Sequence, residues 1–457
     1  MQQLIKDFIK SWSAKEGVYS SAEILSWIND KNNSTIVRMS KSNLNYSKSW
    51  FLDNNGMIVN KNSSFFKICG LKTITNDDAS EQPIILQKEI GFLGIICKRI
   101  NGLIHFLMQA KIEPGNINKV QISPTIQATK SNFEQKHGGK KPNYFDYFRN
   151  PEESIIVVDQ IQSEQAGRFL GKRNRNIVLY TEKEINEIPS HRWMTLGQIK
   201  ELMKIDNVVN MDTRTVLSCL PFSLFDIQSI EVNDYFSNPL LCNSIFNDDE
   251  IEIGKVFHLI NDYKMFSSTN STICRLDELK EWGFIGDEFR STKQTNFKIV
   301  FYNIEIEGRE VKKWDQPLFE ANGSAIFVLF VCNFNGKYKF LVRLSSEPGS
   351  FDKVELGPTI QNEFLEIKKM PSNEIETIFL NHIKSGDGIL YDGILSEEGG
   401  RFYHEQNKNV ILEIKKDELN AIPEGYLWLD YKTLNYIVQF NNVLNIQLRN
   451  LLSLLEA

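Results

Sequence analysis

The chain carries the same ordered series of short motifs twice, about 234 positions apart. Glu113-Pro114-Gly115 recurs as Glu347-Pro348-Gly349, and Pro124-Thr125-Ile126-Gln127 as Pro358-Thr359-Ile360-Gln361. Ile28-Asn29-Asp30, Trp50, Gln82-Pro83 and Asn101-Gly102 return as Ile260-Asn261-Asp262, Trp282, Gln316-Pro317 and Asn335-Gly336. Ser163-Glu164 with Gly167-Arg168-Phe169 returns as Ser396-Glu397 with Gly400-Arg401-Phe402. Asn207-Val208, Asn210 and Arg214 return as Asn442-Val443, Asn445 and Arg449. One match of this kind is chance, but an ordered series at near-constant offset is a duplication. Two repeats this long imply two folded domains rather than a solenoid, divided as 1–225 and 226–457. The boundary falls in the irregular, acidic stretch around residues 223–252.

Each repeat reads as α+β, a mixed sheet flanked by helices. Residues 1–30 carry apolar side chains at helical spacing, with Ser20-Ser21 as an N-cap signal before a second helix. Residues 31–48, rich in Asn, Ser and Lys, read as loop. Residues 65–69 form a strand that Gly70 should end, and 155–158 a buried strand. Asn101-Gly102 marks a two-residue hairpin between strands at 91–99 and 103–111. Residues 195–203 and 210–220 read as helices, and the polar connection from Gln127 to Ile155 is long enough to shape a pocket.

Composition narrows the function classes. A net charge of −6 argues against broad capture of nucleic acid or an anionic membrane. The six cysteines contain no CxxC pair, which predicts reduced thiols in a cytoplasmic protein rather than zinc ligands or disulfides. No signal peptide is visible, and the longest apolar runs fall far short of a membrane span of about 20 residues. There is no GxxxxGK[ST] loop, no GxGxxG opening a helix, no HExxH and no GxSxG elbow. No cofactor and no metal are expected.

Three clusters carry candidate chemistry. Gln109, Lys111 and Glu113 alternate along one strand and therefore share a face, which is either a solvated surface or the wall of a pocket. Gln162-Ser163-Glu164-Gln165 with Arg168 either holds a turn or contributes to a nucleotide site. Lys172-Arg173-Asn174-Arg175 places three cations in four residues on an acidic chain, a local anion site if it is not a solvated turn. His137, in a Gly-rich loop, has a side chain suited to acid–base work near neutral pH. Stacking on Tyr144, Tyr147 or Phe148 would accept several nucleobases.

The run from Leu107 to Asn116, residues 120–129, Ser131-Asn132, Gln162–Gln165 with Arg168-Phe169, Lys172–Asn176, and Asp206-Asn207 with Asn210–Arg214 resembles the NDP-hexose 2,3-dehydratase family. The second half fits through Gly308–Val311, Gln316-Pro317 and Ser396–Phe402. The resemblance implies a homodimer whose subunit has two tandem Nudix-hydrolase-like domains. Neither repeat contains the REUxEE metal helix of Nudix hydrolases, so metal-dependent pyrophosphate hydrolysis is not expected. The implied substrate is a nucleotide-linked 4-keto-6-deoxyhexose. The C4 ketone acidifies C3–H, a base removes that proton, and the C2 hydroxyl leaves with an acid's help. The resulting enol tautomerises to a 3,4-diketo-2,6-dideoxy sugar, which a downstream NADPH-dependent 3-ketoreductase would reduce.

Such a site needs a base, a donor to the C4 oxyanion and an acid. Glu113 or His137 suits the base, and Lys111 or Gln109 the oxyanion donor. Glu164, Gln165, Arg168, Lys172, Arg173, Arg175, Asn210, Arg214 and Tyr144 are the candidates for holding substrate. Gln109 and Lys111 become Arg343 and Ser345 in the second repeat, and Lys172-Arg173 becomes Glu405-Gln406. The reactive site is therefore expected in the first repeat, with the second binding nucleotide or serving as structure. The rival expectation is a non-catalytic nucleotide-sugar binding protein.

Overall fold

The computed structural model describes residues 1–62, 65–75, 78–133, 141–224, 235–307, 311–362, 371 and 373–457. Each repeat is built on a seven-stranded mixed sheet, and the two sheets share one topology. In the first, Ile155–Ser163 pairs with Arg173–Tyr180, which lies parallel to Gly91–Ile100; Leu103–Ile112 and His191–Met194 follow. Val120–Ser123 and Ile126–Ala128 add to Leu103–Ile112 and Gly91–Ile100. In the second, Gln406–Ile414 lies parallel to Ile326–Phe334 in the same way. The hairpin turns agree in both repeats. Asn101 and Gly102 have φ of 51° and 83°, and Asn335 and Gly336 have 53° and 86°. Positive φ at both central residues is what a twist-matched two-residue turn requires, and Asn-Gly supplies it at low cost.

The N-terminal helices form where the spacing places them, Gln2–Ser13 and Ser21–Ser34. Ser20 caps the second in a full capping box with Glu23. Leu4, Ile5, Phe8, Ile9 and Trp12 are buried in one core with sheet residues of both repeats, including Phe106, Met108, Phe340 and Val342.

The repeats also exchange strands. Val37–Ser42 of the first pairs antiparallel with Phe297–Ile306 of the second, and Asn270–Cys274 of the second pairs with Lys67–Thr75 of the first. The expected loop over 31–48 thus contains the end of a helix and a strand. Its partner lies more than 250 positions away, so no local pattern announces it. Gly70 does not end its strand, which continues to Thr75. It marks the crossing arm, because an added Cβ would meet Cys274 Sγ at 2.7 Å and Arg275 O at 2.8 Å. In Ile155–Ser163 only Val157 and Val158 of the first four residues are buried. Ile155 and Ile156 are exposed at the sheet edge, where the register shifts before Val158.

The Glu-Pro-Gly loops clasp the halves together. Gly115 N–H donates to Gly399 O (2.8 Å), and His404 N–H donates to Gly115 O (2.8 Å). The second loop mirrors this, with Gly349 N–H on Ala166 O and Gly171 N–H on Gly349 O, each 2.8 Å. A Cβ would lie 1.6 Å from Phe402 O at Gly115 and 2.0 Å from Phe169 O at Gly349. Only glycine allows this backbone approach. Among the described residues no helix is long and apolar enough to cross a membrane.

Candidate active site

Strand Leu103–Ile112 ends where Pro114 can no longer donate to a ladder, and Glu113 turns into the junction between the repeats. Asn210 caps helix Met211–Ser218 by accepting from Thr213 N (2.8 Å), which leaves its amide NH₂ to donate to Gln127 Oε1 (3.0 Å). Gln127 Nε2 donates in turn to Glu113 Oε1 (3.1 Å), and the Gln127 carbonyl accepts from Lys111 Nζ (3.1 Å). The other oxygen of Glu113 accepts the N–H of Gly399, from the second repeat, at 3.2 Å. The Glu113 side chain is thus fixed by an amide and a backbone N–H, and the Gln127 that supplies the amide is itself held by the helix-capping Asn210 and bonded by the Lys111 ammonium.

Three more carboxyl groups face this centre. Glu398 precedes Gly399 on the second repeat's loop; it is partly exposed, and its own Oε1 accepts from Gly400 N (3.1 Å). Removal from water, then repulsion by Glu113 and Glu164, pushes its pKa up to about 8 against the pull of Arg401 and Lys111. Asp212, in the first turn of the capped helix, is raised well above the usual carboxylate range by burial and then by Glu164, Glu398 and Glu113. Its Oδ1 is buried and accepts no hydrogen bond from the described residues. Glu164 is raised by burial and partly relieved by Lys172 and Arg449; it accepts from Asn174 Nδ2. Lys172 is pulled down to about 8, chiefly by burial, with Arg401 adding repulsion, and it donates to Glu89 O (2.6 Å).

The second repeat repeats the scaffold with different chemistry. Asn445 caps its helix and donates to Gln361 Oε1 (2.9 Å), and Glu347 Oε1 lies 3.4 Å from the same amide. The positions of Lys111, Asp212, Glu398 and Lys172 hold Ser345, Gln447, Gln165 and Glu405. Gln165 Nε2 donates to Glu397, and Arg168 lies 3.8 Å from Glu405. The position of Gln121 holds Glu355, which accepts from Ser163 Oγ (2.8 Å) and is pushed up to about 7 by burial.

A sequence model of the NDP-hexose 2,3-dehydratase family matches this chain twice, over residues 21–220 and 254–455. The chain belongs to this family. It is 34% identical over 453 residues to dTDP-4-dehydro-6-deoxy-alpha-D-glucopyranose 2,3-dehydratase of Saccharopolyspora spinosa, covering 97% of this chain and 93% of that one. Proteins of the same name from Amycolatopsis orientalis and Streptomyces violaceoruber are 31% and 32% identical, covering 98% and 95% of this chain and 93% and 97% of their own.

Against this family background, the residues singled out in sequence divide by where the structure places them. Glu113, Lys111, Asn210, Glu164 and Lys172 converge on the first-repeat centre. Gln109 lies next to it on the same strand, within 3.5 Å of Ser123 Oγ and directly across the sheet from His191. The Tyr144 ring packs on His191 at 4.8 Å, its hydroxyl donating to Asn186 O (2.8 Å). Gln165 and Arg168 stand in the second centre. Arg214 is fully buried and donates to Ser396 O (2.8 Å), tying its helix to the other repeat.

Arg173 and Arg175 point away from Lys172. Lys172, Asn174 and Asn176 are buried, whereas the alternate residues Arg173 and Arg175 are half-exposed on the opposite face of the strand. Arg173 stacks over Phe351 at 3.8 Å, and Arg175 grips Asp159 with two bonds of 2.6 and 2.5 Å. His137 lies outside the described residues. Sequence reasoning passed over Glu398, Asp212 and Gln127 as site residues. The signal was available in the Glu398/Gln165 and Asp212/Gln447 differences, but their meaning depends on the loop crossing between repeats.

Proposed function

We propose that this chain is a hydro-lyase that removes the C2 hydroxyl of a nucleotide-linked 4-keto-6-deoxyhexose, yielding the NDP-3,4-diketo-2,6-dideoxyhexose. The dTDP-linked sugar named for all three relatives is the proposed substrate. The observation that carries the mechanism is one anchored carboxylate, Glu113, in a centre that also holds the Lys111 ammonium and carboxyl groups whose pKa values burial raises. Glu113 removes the C3 proton, and its position is kept by Gln127 and Gly399 N–H. Lys111, with Gln109 beside it, supports the oxyanion that forms on the C4 oxygen. His137, ten positions after Gln127 in the sequence, remains the alternative base.

Lys172 is the proposed diphosphate contact among the cluster's cations, joined by Arg401 from the second repeat. Arg175 is the weaker candidate because Asp159 already occupies it, and Arg173 because it is stacked. Tyr144 offers an aromatic surface for the base, on the strand line that leads to Lys111. Asn210 and Arg214 position the centre rather than touch substrate. Gln165 and Arg168 belong to the second centre, which binds nucleotide or serves as structure.

We further read the repeats, residues 1–225 and 226–457, as Nudix-like. A parallel strand pair inside an otherwise antiparallel sheet in both halves supports this. The chain works as a homodimer and feeds an NADPH-dependent 3-ketoreductase, because a 3,4-diketone is reactive and needs prompt reduction. Six cysteines that form no disulfide support a reducing compartment, the cytoplasm. Incubation with dTDP-4-keto-6-deoxyglucose, a 3-ketoreductase and NADPH tests the reading. A dTDP-linked 2,6-dideoxy sugar is expected. Unchanged substrate that still raises the melting temperature would identify a binding protein instead.

A further inference from the structure

We propose that Glu398, contributed by the second repeat, is the acid that protonates the departing C2 hydroxyl in the first-repeat centre. This rests on the dehydratase reading above. Geometry places the group. Gly399 N–H bonds Glu113 (3.2 Å), so the residue that precedes it in the loop is held next to the base by the same clasp. The loop cannot drift, because Gly115 and Gly399 are locked backbone to backbone at 2.8 Å. Glu398 is also the carboxyl group of the cluster that stays partly exposed, whereas Glu113, Glu164 and Asp212 are buried. A group that meets a substrate hydroxyl needs that access.

Two independent features support a ligand at this point. Asp212 Oδ1 is buried without a donor among the described residues, and a sugar hydroxyl can donate to it. The copied centre provides the second. There the position of Glu398 is Gln165 and that of Asp212 is Gln447, amides that keep the shape and cannot give up a proton. Partial removal from water and the neighbouring carboxylates push the Glu398 carboxyl up to about 8, so that it carries a proton near neutral pH, as a general acid requires.

The step balances. Glu113 takes the C3 proton, and the C3–H electron pair forms the C3=C4 bond as charge passes to the C4 oxygen. The pair then returns to form C2=C3 and C4=O while the C2–O bond breaks, and the Glu398 proton leaves with the oxygen as water. Ketonisation of the C3 enol returns its O–H proton to Glu398 and delivers the Glu113 proton to C2. Both carboxyl groups end as they began, and no redox partner is needed.

The two half-steps can be read separately in deuterium oxide. Wild-type enzyme releases water and forms the trapped product. Glu398→Gln is expected to lose elimination by about 100-fold or more, while still exchanging the substrate C3 proton for deuterium. Glu398→Asp, which keeps the proton on a shorter arm, should recover part of the elimination. Elimination at the wild-type rate in Glu398→Gln would overturn the proposal. So would equal loss of exchange and elimination in folded protein, or no advantage of Asp over Gln. If the wild-type enzyme itself neither exchanges nor eliminates, the dehydratase reading fails first, which keeps the two failures distinct.

Discussion

The two centres share a frame and differ in their reactive groups. Both have a helix-capping Asn that holds a Gln, a Glu ahead of a Pro-Gly clasp, and a buried Arg reaching the other repeat. The first adds Lys111, Asp212, Glu398 and Lys172. The second replaces them with Ser345, Gln447, Gln165 and Glu405, and adds Glu355 where the first has Gln121. A frame kept twice while its charges diverge separates what the fold needs from what the chemistry needs. The loop from each half completes the centre of the other, so neither centre is assembled by one repeat alone.

This contrast can be broken in several ways. Apart from loss of the carboxylates themselves, the largest effect is expected from Lys111→Ser, which copies the second centre into the first. Turnover should fall about 100- to 1,000-fold, as for loss of one oxyanion donor, with folding unchanged. The reciprocal Ser345→Lys should leave turnover within about threefold, since Gln165 and Gln447 stand there in place of Glu398 and Asp212. Steady-state kinetics with the trapping reductase measures both.

Next come the clasps, where the halves should behave alike. Gly115→Ala and Gly349→Ala each force a Cβ into a carbonyl oxygen of the other repeat. Each should cost roughly 3 kcal/mol of stability, as overpacking against rigid backbone does. Denaturant titration should give similar losses for the pair. A large loss for one and none for the other would show that the clasps are not equivalent.

A smaller effect is the pH dependence of stability. The folded chain holds a proton on Glu398 up to about pH 8, whereas the unfolded carboxyl releases it near 4.5. Between those values the folded state binds more protons, so this group's contribution is full below about pH 4.5 and is lost as pH rises through about 8. Glu398→Gln should flatten that part of the stability curve. Gln165→Glu should steepen it if the second centre buries a carboxyl group in the same way.

Much of the frame could be read in the sequence because it rests on local chemistry. Asn-Gly turns need positive φ, Ser20 and Glu23 spell a capping box, and repetition at constant offset reveals the copy. The strand exchange could not be read, because Val37–Ser42 finds its partner across the whole first repeat and carries only weak alternation of its own. The site was half legible. Strand alternation put Gln109, Lys111 and Glu113 on one side, and comparison of the repeats separated Glu113 from Lys111. The same alternation, applied to residues 172–176, separates Lys172 from Arg173 and Arg175. Glu398 stayed hidden because a residue on one repeat joins the other's centre only through the Gly115–Gly399 contact, which no sequence period encodes.

The central claim is that one of two matched centres does the chemistry. Turnover of Glu113→Gln and Glu347→Gln, measured side by side with the trapping reductase and checked for intact folding, tests it most directly. The account predicts that Glu113→Gln loses about 1,000-fold or more, in the range for a general base, while Glu347→Gln stays within about threefold of wild type. Equal loss from both substitutions in folded protein would contradict it.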